Sequence, residues 1–353
     1  MTSGGQETNN DVRGFDVPAA EAWISQHVEG LVGPFQWRRL EGGHSNLTYA
    51  VTGADGVPVI VRRPPEGPLL PKAHDMEREW RVIEALFPTT VPVAEPLALC
   101  TDTGVIGAPF YVMGFVEGRP FYSPDEVEDW VPESQRHQLA MNVVDALAAL
   151  HAVDPESVGL GRHGRPDAYI TRQLRAWYGS WNASIEPAGV DDPVIHQLHD
   201  RLAADIPEQG RPAIVHGDYM VHNVLFDQNG TVTAVVDWEI STLGDPLADL
   251  AYLLNGWARP DDRPPPWPTS PTLADGFPPR AELAEHYGRL TGRDLSQLRY
   301  YVAFNYFKSA CILHGVYARY RQGQKDITPD ELEELREHTL LLIERARLAL
   351  AEL

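Results

Sequence analysis

The 353-residue chain has few basic residues: twenty-nine Lys and Arg stand against fifty Asp and Glu, which gives a formal net charge of −21. A surface this acidic excludes broad binding to nucleic-acid phosphates or to anionic membranes, although a local basic site for a small anion is compatible with it. The charge would suit a cationic substrate, but many soluble proteins are acidic merely for solubility.

Membrane, secretion and disulfide signals are also missing. No apolar run approaches the roughly 18 residues that a membrane-spanning helix needs, and the opening residues MTSGGQETNN contain no apolar signal core. The two cysteines, Cys100 and Cys311, form neither a metal-ligand pattern nor a disulfide framework, so we expect two buried thiols. We therefore expect a cytoplasmic protein that binds neither membranes nor nucleic acid.

Hydrophobic periodicity divides the chain into a strand-rich part and a helical part. The 43% hydrophobic content is that of a globular protein, and the length fits one large domain or two lobes. Residues 1–12 are expected to be a disordered lead. The elements predicted up to residue 116 are a helix at 19–32, strands at 37–40, 47–52 and 57–62, a helix at 76–87, and strands at 97–99 and 109–116.

Helices dominate the rest of the chain. The clearest is an amphipathic helix over 134–151, one hairpin interrupts the pattern at 223–236, and eight prolines between Pro260 and Pro279 indicate a long loop. The sequence therefore predicts an α+β fold of two lobes: a small lobe of sheet plus helix over 13–116, and a larger, mainly helical lobe over 117–353.

Two carboxylates and an amide converge at the predicted hairpin. If Asn229-Gly230 forms a two-residue turn, the strand register places Asp237 beside Asn223, and Asp218 lies in the loop that enters the hairpin. Any of these residues alone could simply cap a turn. Together they form a set of hard oxygen ligands of the kind that suits Mg²⁺.

The spacing of these residues resembles that of known kinases. His216-Gly217-Asp218, with Asn223 five residues after Asp218, resembles the kinase catalytic loop, with glycine in place of its arginine, and Asp237-Trp238-Glu239 stands where kinases carry their metal-binding motif. These forms are similar to the aminoglycoside phosphotransferase family, and most similar to the kinase-like domain fused to some acyl-CoA dehydrogenases and to its free-standing bacterial relatives. The similarity extends over roughly 35–345 by element order.

This resemblance implies transfer of the γ-phosphoryl group of ATP to a hydroxyl of a small molecule, such as an aminoglycoside-like antibiotic or a hydroxylated metabolite, with ATP and Mg²⁺ as cofactors. Asp218 would orient the hydroxyl and accept its proton, while Asn223 and Asp237 would hold the metal. The alternatives are a nucleotide-binding pseudokinase and a nucleotidyl transferase on the same fold.

Three further residues are expected to support this site. The resemblance places Asp249 at the start of a helix, where it would hydrogen-bond the backbone of the catalytic loop. His216 either takes part in proton transfer or only braces the loop. Glu239 either approaches metal or substrate, or faces solvent.

The nucleotide would bind to the small lobe. Gly43, Ser45 and Asn46 resemble the loop that covers the phosphates, although the same residues could form a plain hairpin turn. The hinge should follow the strand at 109–116: the resemblance assigns the Gly114 carbonyl and the Val116 N–H to the adenine edge. Met113 would border the base or belong to the core.

An arginine replaces the lysine that kinases use to bind phosphate. Arg62 occupies that position in VIVRRPP, and strand alternation places Arg63 on the opposite face. Glu79 is the expected partner of Arg62, or else a solvated helix carboxylate. The helices after residue 280 and the proline-rich loop are expected to form the acceptor pocket. Aromatic residues of that region serve as pocket lining or as core: Trp257, Trp267, Tyr300, Tyr301, Tyr306 and Phe307.

Overall fold

A computed structural model describes residues 12–40, 46–67, 74–324 and 327–351. The chain separates into two compact units: Met1–Gly118 with Thr233–Ile240, and Arg119–Val232 with Ser241–Leu353. Within the described ranges, none of the helices is both long enough and apolar enough to cross a membrane. Binding of the nucleotide phosphates by 13–116 stays a prediction. The same holds for the assignment of the catalytic loop, metal site and substrate pocket to 117–353.

A five-stranded antiparallel sheet forms the centre of the first unit, with the strand order β1-β2-β3-β5-β4. Its elements are α1 (Val17–His27), β1 (Gln36–Arg39), β2 (Leu47–Thr52), β3 (Pro58–Arg63), α2 (Met76–Leu86), β4 (Pro96–Cys100), α3 (Thr103–Ile106) and β5 (Phe110–Gly114). All the strands and helices predicted from the sequence in this part are present, with ends shifted by a few residues; α3 is an additional short helix.

The pleat of β3 sends its two arginines to opposite faces of the sheet. Arg62 pairs with Tyr111 on β5, whereas Arg63 is 7% exposed and its guanidinium lies 5.8 Å from the Phe15 ring centre. On the Arg63 face, buried side chains from α1 and from the sheet form one apolar core, which includes Val12. Residues 1–11 of the predicted lead lie outside the described residues.

Helix α2 begins at a well-formed cap and presents an apolar side. The Asp75 carboxylate accepts a hydrogen bond of 3.0 Å from the Arg78 N–H, which satisfies one of the free amides of the first turn. Its buried residues recur with helical spacing: Met76, Glu79, Val82, Ile83 and Leu86. The periodicity of α2 therefore buries Glu79, which is 1% exposed, on the side that faces the sheet.

The second unit is mainly helical. Its elements are α4 (Pro124–Glu128), α5 (Glu133–Ala152), α6 (Tyr169–Ala188), α7 (Pro193–Ala204), β6 (Ala213–Val215), β7 (Val224–Phe226), β9 (Thr242–Gly244), α8 (Pro246–Gly256), α9 (Arg280–Thr291), α10 (Leu298–Arg321) and α11 (Pro329–Ala351), with short 3₁₀ turns at Val221–Asn223 and Pro271–Leu273. Strand β8 (Val232–Val235) completes the hairpin that β7 begins.

Two three-residue strands position the loop that the sequence singles out. Strand β6 pairs antiparallel with β9, with Ala213 opposite Gly244, and β6 runs directly into His216. Strand β9 runs into Asp245, whose carboxylate accepts a hydrogen bond of 3.1 Å from the Leu247 N–H and caps α8. Since every residue of α8 is buried, this helix forms a fixed support for the loop.

The hairpin turn differs from the two-residue turn predicted from the sequence. The Asp227 N–H donates to the Thr231 carbonyl at 3.1 Å, so the loop has three residues, and Gly230 adopts a φ of +75°. This is a turn followed by a glycine bulge. The Asp227 carboxylate stabilises it by accepting the Asn229 and Thr231 N–H groups, both at 2.8 Å. The two-residue prediction is therefore wrong. The strand register that follows from it no longer supports placing Asp237 beside Asn223.

Most aromatic residues of the predicted pocket region belong to the core of the second unit. Trp257, Tyr300, Tyr301 and Phe307 are at most 1% exposed. The Tyr301 hydroxyl donates to Asp245 at 2.6 Å, which satisfies its polar group inside the protein. Of the two alternatives, these four rings therefore take the core role. Both cysteines are buried free thiols, as expected.

Candidate active site

Arg62 joins two carboxylates within the first unit. Its Nη2 lies 2.7 Å from Asp237 Oδ1, and its Nε lies 3.1 Å from Glu79 Oε2, an ion-pair distance without hydrogen-bond alignment. The Arg62 side chain is 13% exposed, against 1% for Glu79 and 29% for Asp237. The guanidinium therefore links a buried acid to an accessible one.

The Glu79 carboxylate is held by two further donors. The Tyr111 hydroxyl donates to it at 2.9 Å and the Asn46 side-chain amide at 3.1 Å. Burial raises the pKa of Glu79, an effect that Arg62 opposes. Burial alone would lower the pKa of Arg62, but the charges of Glu79 and Asp237 outweigh burial and raise it. Arg62 therefore stays a fixed cation.

Asp237 has an unusual backbone conformation, with a φ of +68° in the left-handed region. Aspartate is among the few non-glycine residues that adopt this region. The neighbouring Trp238 is 1% exposed and donates to the Val235 carbonyl at 3.1 Å, while the Val235 N–H donates to Pro92 at 2.8 Å. These contacts anchor the segment to the first unit and leave the Asp237 side chain partly exposed.

Glu239 lies in the same cluster as the two acids. Its carboxylate is 3.5 Å from the Asn46 amide and 3.4 Å from the His74 ring, and His74 also contacts the Asn46 side-chain oxygen at 2.9 Å. One oxygen each from Glu79, Asp237 and Glu239 lie within 4.8 Å of one another. This donor set fits a hard divalent cation, and Asp237 is the most accessible of the three acids.

Asp249 supports the backbone of the catalytic loop that is predicted in the second unit. This carboxylate accepts the His216 N–H at 2.6 Å and the Gly217 N–H at 2.9 Å, and it is 1% exposed. Gly217 has a φ of +85°, a conformation that glycine adopts readily. The Asp218 N–H donates to His216 Nδ1 at 3.2 Å. Since His216 is fully buried, this geometry supports a bracing role for its ring.

Asp218 and Asn223 contact each other directly. The Asn223 side-chain amide donates to the Asp218 carbonyl at 2.8 Å and to its carboxylate at 3.0 Å. The Tyr252 hydroxyl lies near this carboxylate. Burial, reinforced by the Asp218 charge, raises the pKa of Tyr252 well above its usual value, so its hydroxyl remains a donor. The half-exposed Asp218 carboxylate is thus fixed, and the Asn223 amide oxygen is turned away from it.

The carboxylate of Asp249 has a buried partner of its own. His151 Nε2 lies 3.3 Å from Asp249, and His151 Nδ1 lies 2.8 Å from the Tyr287 hydroxyl. Burial would raise the pKa of Asp249, but the hydrogen bond from His151 and the hydrogen bond from the Gly217 N–H contribute to lowering it overall. Asp249 is therefore an ionised internal support of the loop.

Sequence comparison decides which family has this arrangement. A family model described as the phosphotransferase enzyme family matches residues 36–301. The chain belongs to this family.

Curated relatives of this phosphotransferase chain include much longer proteins. Acyl-CoA dehydrogenase family member 11 of Gallus gallus is 36% identical over 328 residues, covering 88% of this chain and 40% of that protein. The Rattus norvegicus protein of the same name is 34% identical, covering 94% and 44%. Viomycin phosphotransferase of Streptomyces vinaceus is 27% identical, covering 58% and 69%. The chain thus spans about two fifths of the acyl-CoA dehydrogenase relatives.

Solved structures share the fold. A Ralstonia eutropha protein provisionally named an aminoglycoside phosphotransferase aligns with a TM-score of 0.79 and 33% identity over 94% of this chain and 98% of that one. Spectinomycin phosphotransferase, solved with ADP and spectinomycin, aligns with a TM-score of 0.61 at 12% identity over 94% and 98%. The α+β kinase-like fold and the family predicted from the sequence are confirmed.

Several residues of the candidate site carried no recognisable signal in the sequence. His74, Tyr111 and His151 contact predicted site residues and Tyr252 lies near one, but none of the four belongs to a motif. Their shared feature is a polar side chain on an otherwise apolar face or at an element end, a pattern that many structural residues also show.

The structure describes only some of the residues that are predicted to bind the nucleotide. Gly43 and Ser45 lie outside the described residues. Met113 and Val116 are half-buried, and the Gly114 N–H donates to the Glu95 carbonyl at 2.8 Å. Their contacts with adenine stay predictions.

Removing Arg62 should destabilise the phosphotransferase chain in a pH-dependent way. Arg62→Ala leaves the Glu79 carboxylate buried without its cation, which we expect to lower the free energy of unfolding by about 3 kcal/mol near neutral pH. Because burial already raises the pKa of Glu79, protonation relieves the unpaired charge. The loss should therefore be largest at high pH and shrink as the pH falls. Urea denaturation at several pH values measures this difference.

The matched control removes the acid together with the arginine. In Arg62→Ala/Glu79→Gln no buried charge is left unpaired, so its stability relative to wild type should depend much less on pH. An Arg62→Ala loss that is independent of pH would contradict the pairing with Glu79.

Asp249→Asn should weaken the second unit through its loop contacts. We expect the free energy of unfolding to fall by about 2 kcal/mol at neutral pH, because an asparagine amide cannot accept hydrogen bonds at both of its ends as the buried carboxylate does. Since the pKa of Asp249 is lowered in the folded state, its contribution is present above the unfolded value of about 3.9 and is lost as the pH falls below it. The stability curves of wild type and variant should therefore converge in acid.

Asp294→Asn is the control for this comparison. Asp294 also has a lowered pKa, but its hydrogen bonds to Ser296 lie in an exposed loop. We expect it to unfold like wild type at neutral pH. Equal stabilities of Asp249→Asn and Asp294→Asn would contradict the support role of Asp249.

Proposed function

We propose that the chain transfers the γ-phosphoryl group of ATP to a hydroxyl group of a small molecule. The observation that carries the proposal is the environment of Asp218: its carboxylate is half-exposed, yet a hydrogen bond of 3.0 Å from the Asn223 amide fixes its direction. A fixed, accessible carboxylate on a rigid loop is suited to orient a hydroxyl and accept its proton.

The carboxylate of Asp218 need not be unusually basic for this role. Phosphoryl transfer passes through a loose transition state, so the proton of the attacking hydroxyl can leave late. Most of the rate then comes from holding the hydroxyl in line with the phosphoryl group. The hydrogen bonds from Asn223 to the carbonyl and the carboxylate of Asp218 restrict the loop in the way that such alignment requires.

We assign the metal-binding role to Asp237 and Asn223. Asp237 offers a partly exposed carboxylate, and Asn223 offers an amide oxygen that accepts no hydrogen bond among the described residues. Mg²⁺ bound by such ligands would neutralise charge on the phosphates. Glu239 remains a candidate for a water-mediated contact, since its carboxylate is 24% exposed beside His74.

Arg62 is assigned to the ATP phosphates. The residue is a permanent cation already oriented by Glu79, and the Nη2 edge of its guanidinium contacts the accessible Asp237. A phosphate oxygen can replace Asp237 as the partner of that edge, which would free Asp237 for the metal. Gly43, Ser45 and Asn46 would cover the phosphates, and Met113, Gly114 and Val116 would contact adenine.

A screen of hydroxylated small molecules tests this function. Purified protein is incubated with each compound, including aminoglycosides, and the products are weighed by mass spectrometry. We expect an acceptor to gain the mass of one phosphoryl group only when ATP and Mg²⁺ are both present. Gain of a nucleotidyl group would identify a nucleotidyl transferase, and nucleotide binding without any product would identify a pseudokinase.

A further inference from the structure

Lys308 is an unusual residue in this chain. Only three of the twenty-nine basic residues are lysines, and Lys308 is the one within the described residues. It lies on α10 and is 5% exposed. Lysine is almost never buried to this extent unless its amino group has a specific partner. Its position therefore calls for a function beyond filling space.

The Lys308 amino group contacts the backbone of the catalytic loop. Its Nζ donates a hydrogen bond of 2.6 Å to the Gly217 carbonyl, directly before Asp218. It also lies 4.2 Å from the centre of the Tyr252 ring and 5.8 Å from that of the Trp177 ring, so aromatic faces from α8 and α6 enclose it. The surroundings thus direct the amino group towards the loop.

Gly217 is held from both sides by groups of opposite charge. Its N–H donates to the Asp249 carboxylate at 2.9 Å, and its carbonyl accepts from Lys308 at 2.6 Å. Each side chain matches the partial charge of the backbone group that it contacts. Burial lowers the pKa of Lys308, while the carboxylates of Asp218 and Asp249 favour its charged form. The left-handed Gly217 is therefore fixed at both of its polar groups.

We propose that Lys308 is a positioning residue for phosphoryl transfer, which orients Asp218 by holding the Gly217 carbonyl. The inference rests on the proposed function, since it assigns Lys308 to the same reaction. A shift of the loop by a fraction of an ångström would move the Asp218 carboxylate away from the line of attack. The Lys308 amino group acts through the loop, so the substrate need not touch it.

Lys308→Met tests the proposal, because methionine fills a similar volume without a donor. We expect kcat for phosphoryl transfer to fall about tenfold to a hundredfold, while the KM for ATP changes little. Amide hydrogen exchange in a peptide covering 214–223 should become faster than in wild type, whereas peptides from α11 should exchange as before. Unchanged exchange in the loop, or an unchanged kcat in an active enzyme, would overturn the proposal.

Cys311→Ala provides the matched control on the same helix. Cys311 is fully buried three residues after Lys308, and its thiol forms no hydrogen bond with the loop among the described residues. The substitution opens a small cavity, so it should lower thermal stability while kcat and loop exchange stay at the wild-type values. If Cys311→Ala lowers kcat and accelerates loop exchange as much as Lys308→Met does, a general effect of α10 packing replaces the proposed role.

The two readouts separate this inference from the proposed function. If wild-type protein transfers no phosphoryl group to any acceptor or to water, the proposed function fails. Hydrogen exchange in the loop needs no turnover, so faster exchange in Lys308→Met would still show that Lys308 holds Gly217. Wild-type exchange there would overturn the contact even in an active enzyme.

Discussion

Asp218→Asn should abolish most phosphoryl transfer while the protein stays folded. Asparagine keeps the size of the side chain but cannot accept the proton of the attacking hydroxyl, so we expect kcat to fall by about 10²–10⁴. The affinity for ATP should change little, because no nucleotide contact is assigned to Asp218. Initial rates at saturating ATP, with calorimetric titration of ATP, measure the two quantities separately.

Asp227→Asn is the control for that substitution. It makes the same chemical change nine residues later, where the carboxylate only accepts turn N–H groups from Asn229 and Thr231. Its kcat should equal that of wild type. Wild-type turnover in a folded Asp218→Asn protein would refute the role of Asp218.

Asp237→Ala should affect metal and nucleotide together. We assign Asp237 as a charged ligand of Mg²⁺, so its loss should weaken binding of MgATP and reduce transfer about hundredfold or more. The same change releases Arg62 from its 2.7 Å ion pair with Asp237. Binding of metal-free ATP should therefore be unchanged or tighter. Calorimetric titrations with and without Mg²⁺ compare the two affinities.

Glu66→Ala is the control in the same unit. Glu66 pairs with Arg13 at 2.9 Å on the surface, so the variant also loses one carboxylate. It should keep the Mg²⁺ dependence of wild type. If Asp237→Ala also keeps that dependence, Asp237 is not a metal ligand.

Contacts between residues close in sequence were the most predictable part of the site. The five-residue spacing of Asp218 and Asn223 indicated a shared loop, and the structure has two hydrogen bonds between them. Strand alternation separated Arg62 from Arg63, and helical periodicity brought Glu79 to the buried side of α2. In each case one element with a fixed repeat determines the side-chain direction.

Features that depend on tertiary structure could not be predicted. Strands β6 and β9 have three residues each, too few to show a period, yet they position His216 and Asp245. The hairpin length was missed because the Asp227 carboxylate stabilises a three-residue loop where Asn229-Gly230 favours a two-residue turn. Lys308 is ninety residues from Asp218, and periodicity alone cannot show which loop a buried amine contacts.

ATP labelled with radioactive phosphorus at either the γ or the α position shows which part of the nucleotide is transferred. Wild-type protein and Mg²⁺ are incubated with each label and a pool of hydroxylated small molecules, and labelled products are separated from nucleotides. We expect the γ label to move to an acceptor, the α label to stay with the nucleotide, and Asp218→Asn to transfer neither. Transfer of the α label, or no transfer of either label by the wild-type protein, would contradict the proposed phosphoryl transfer.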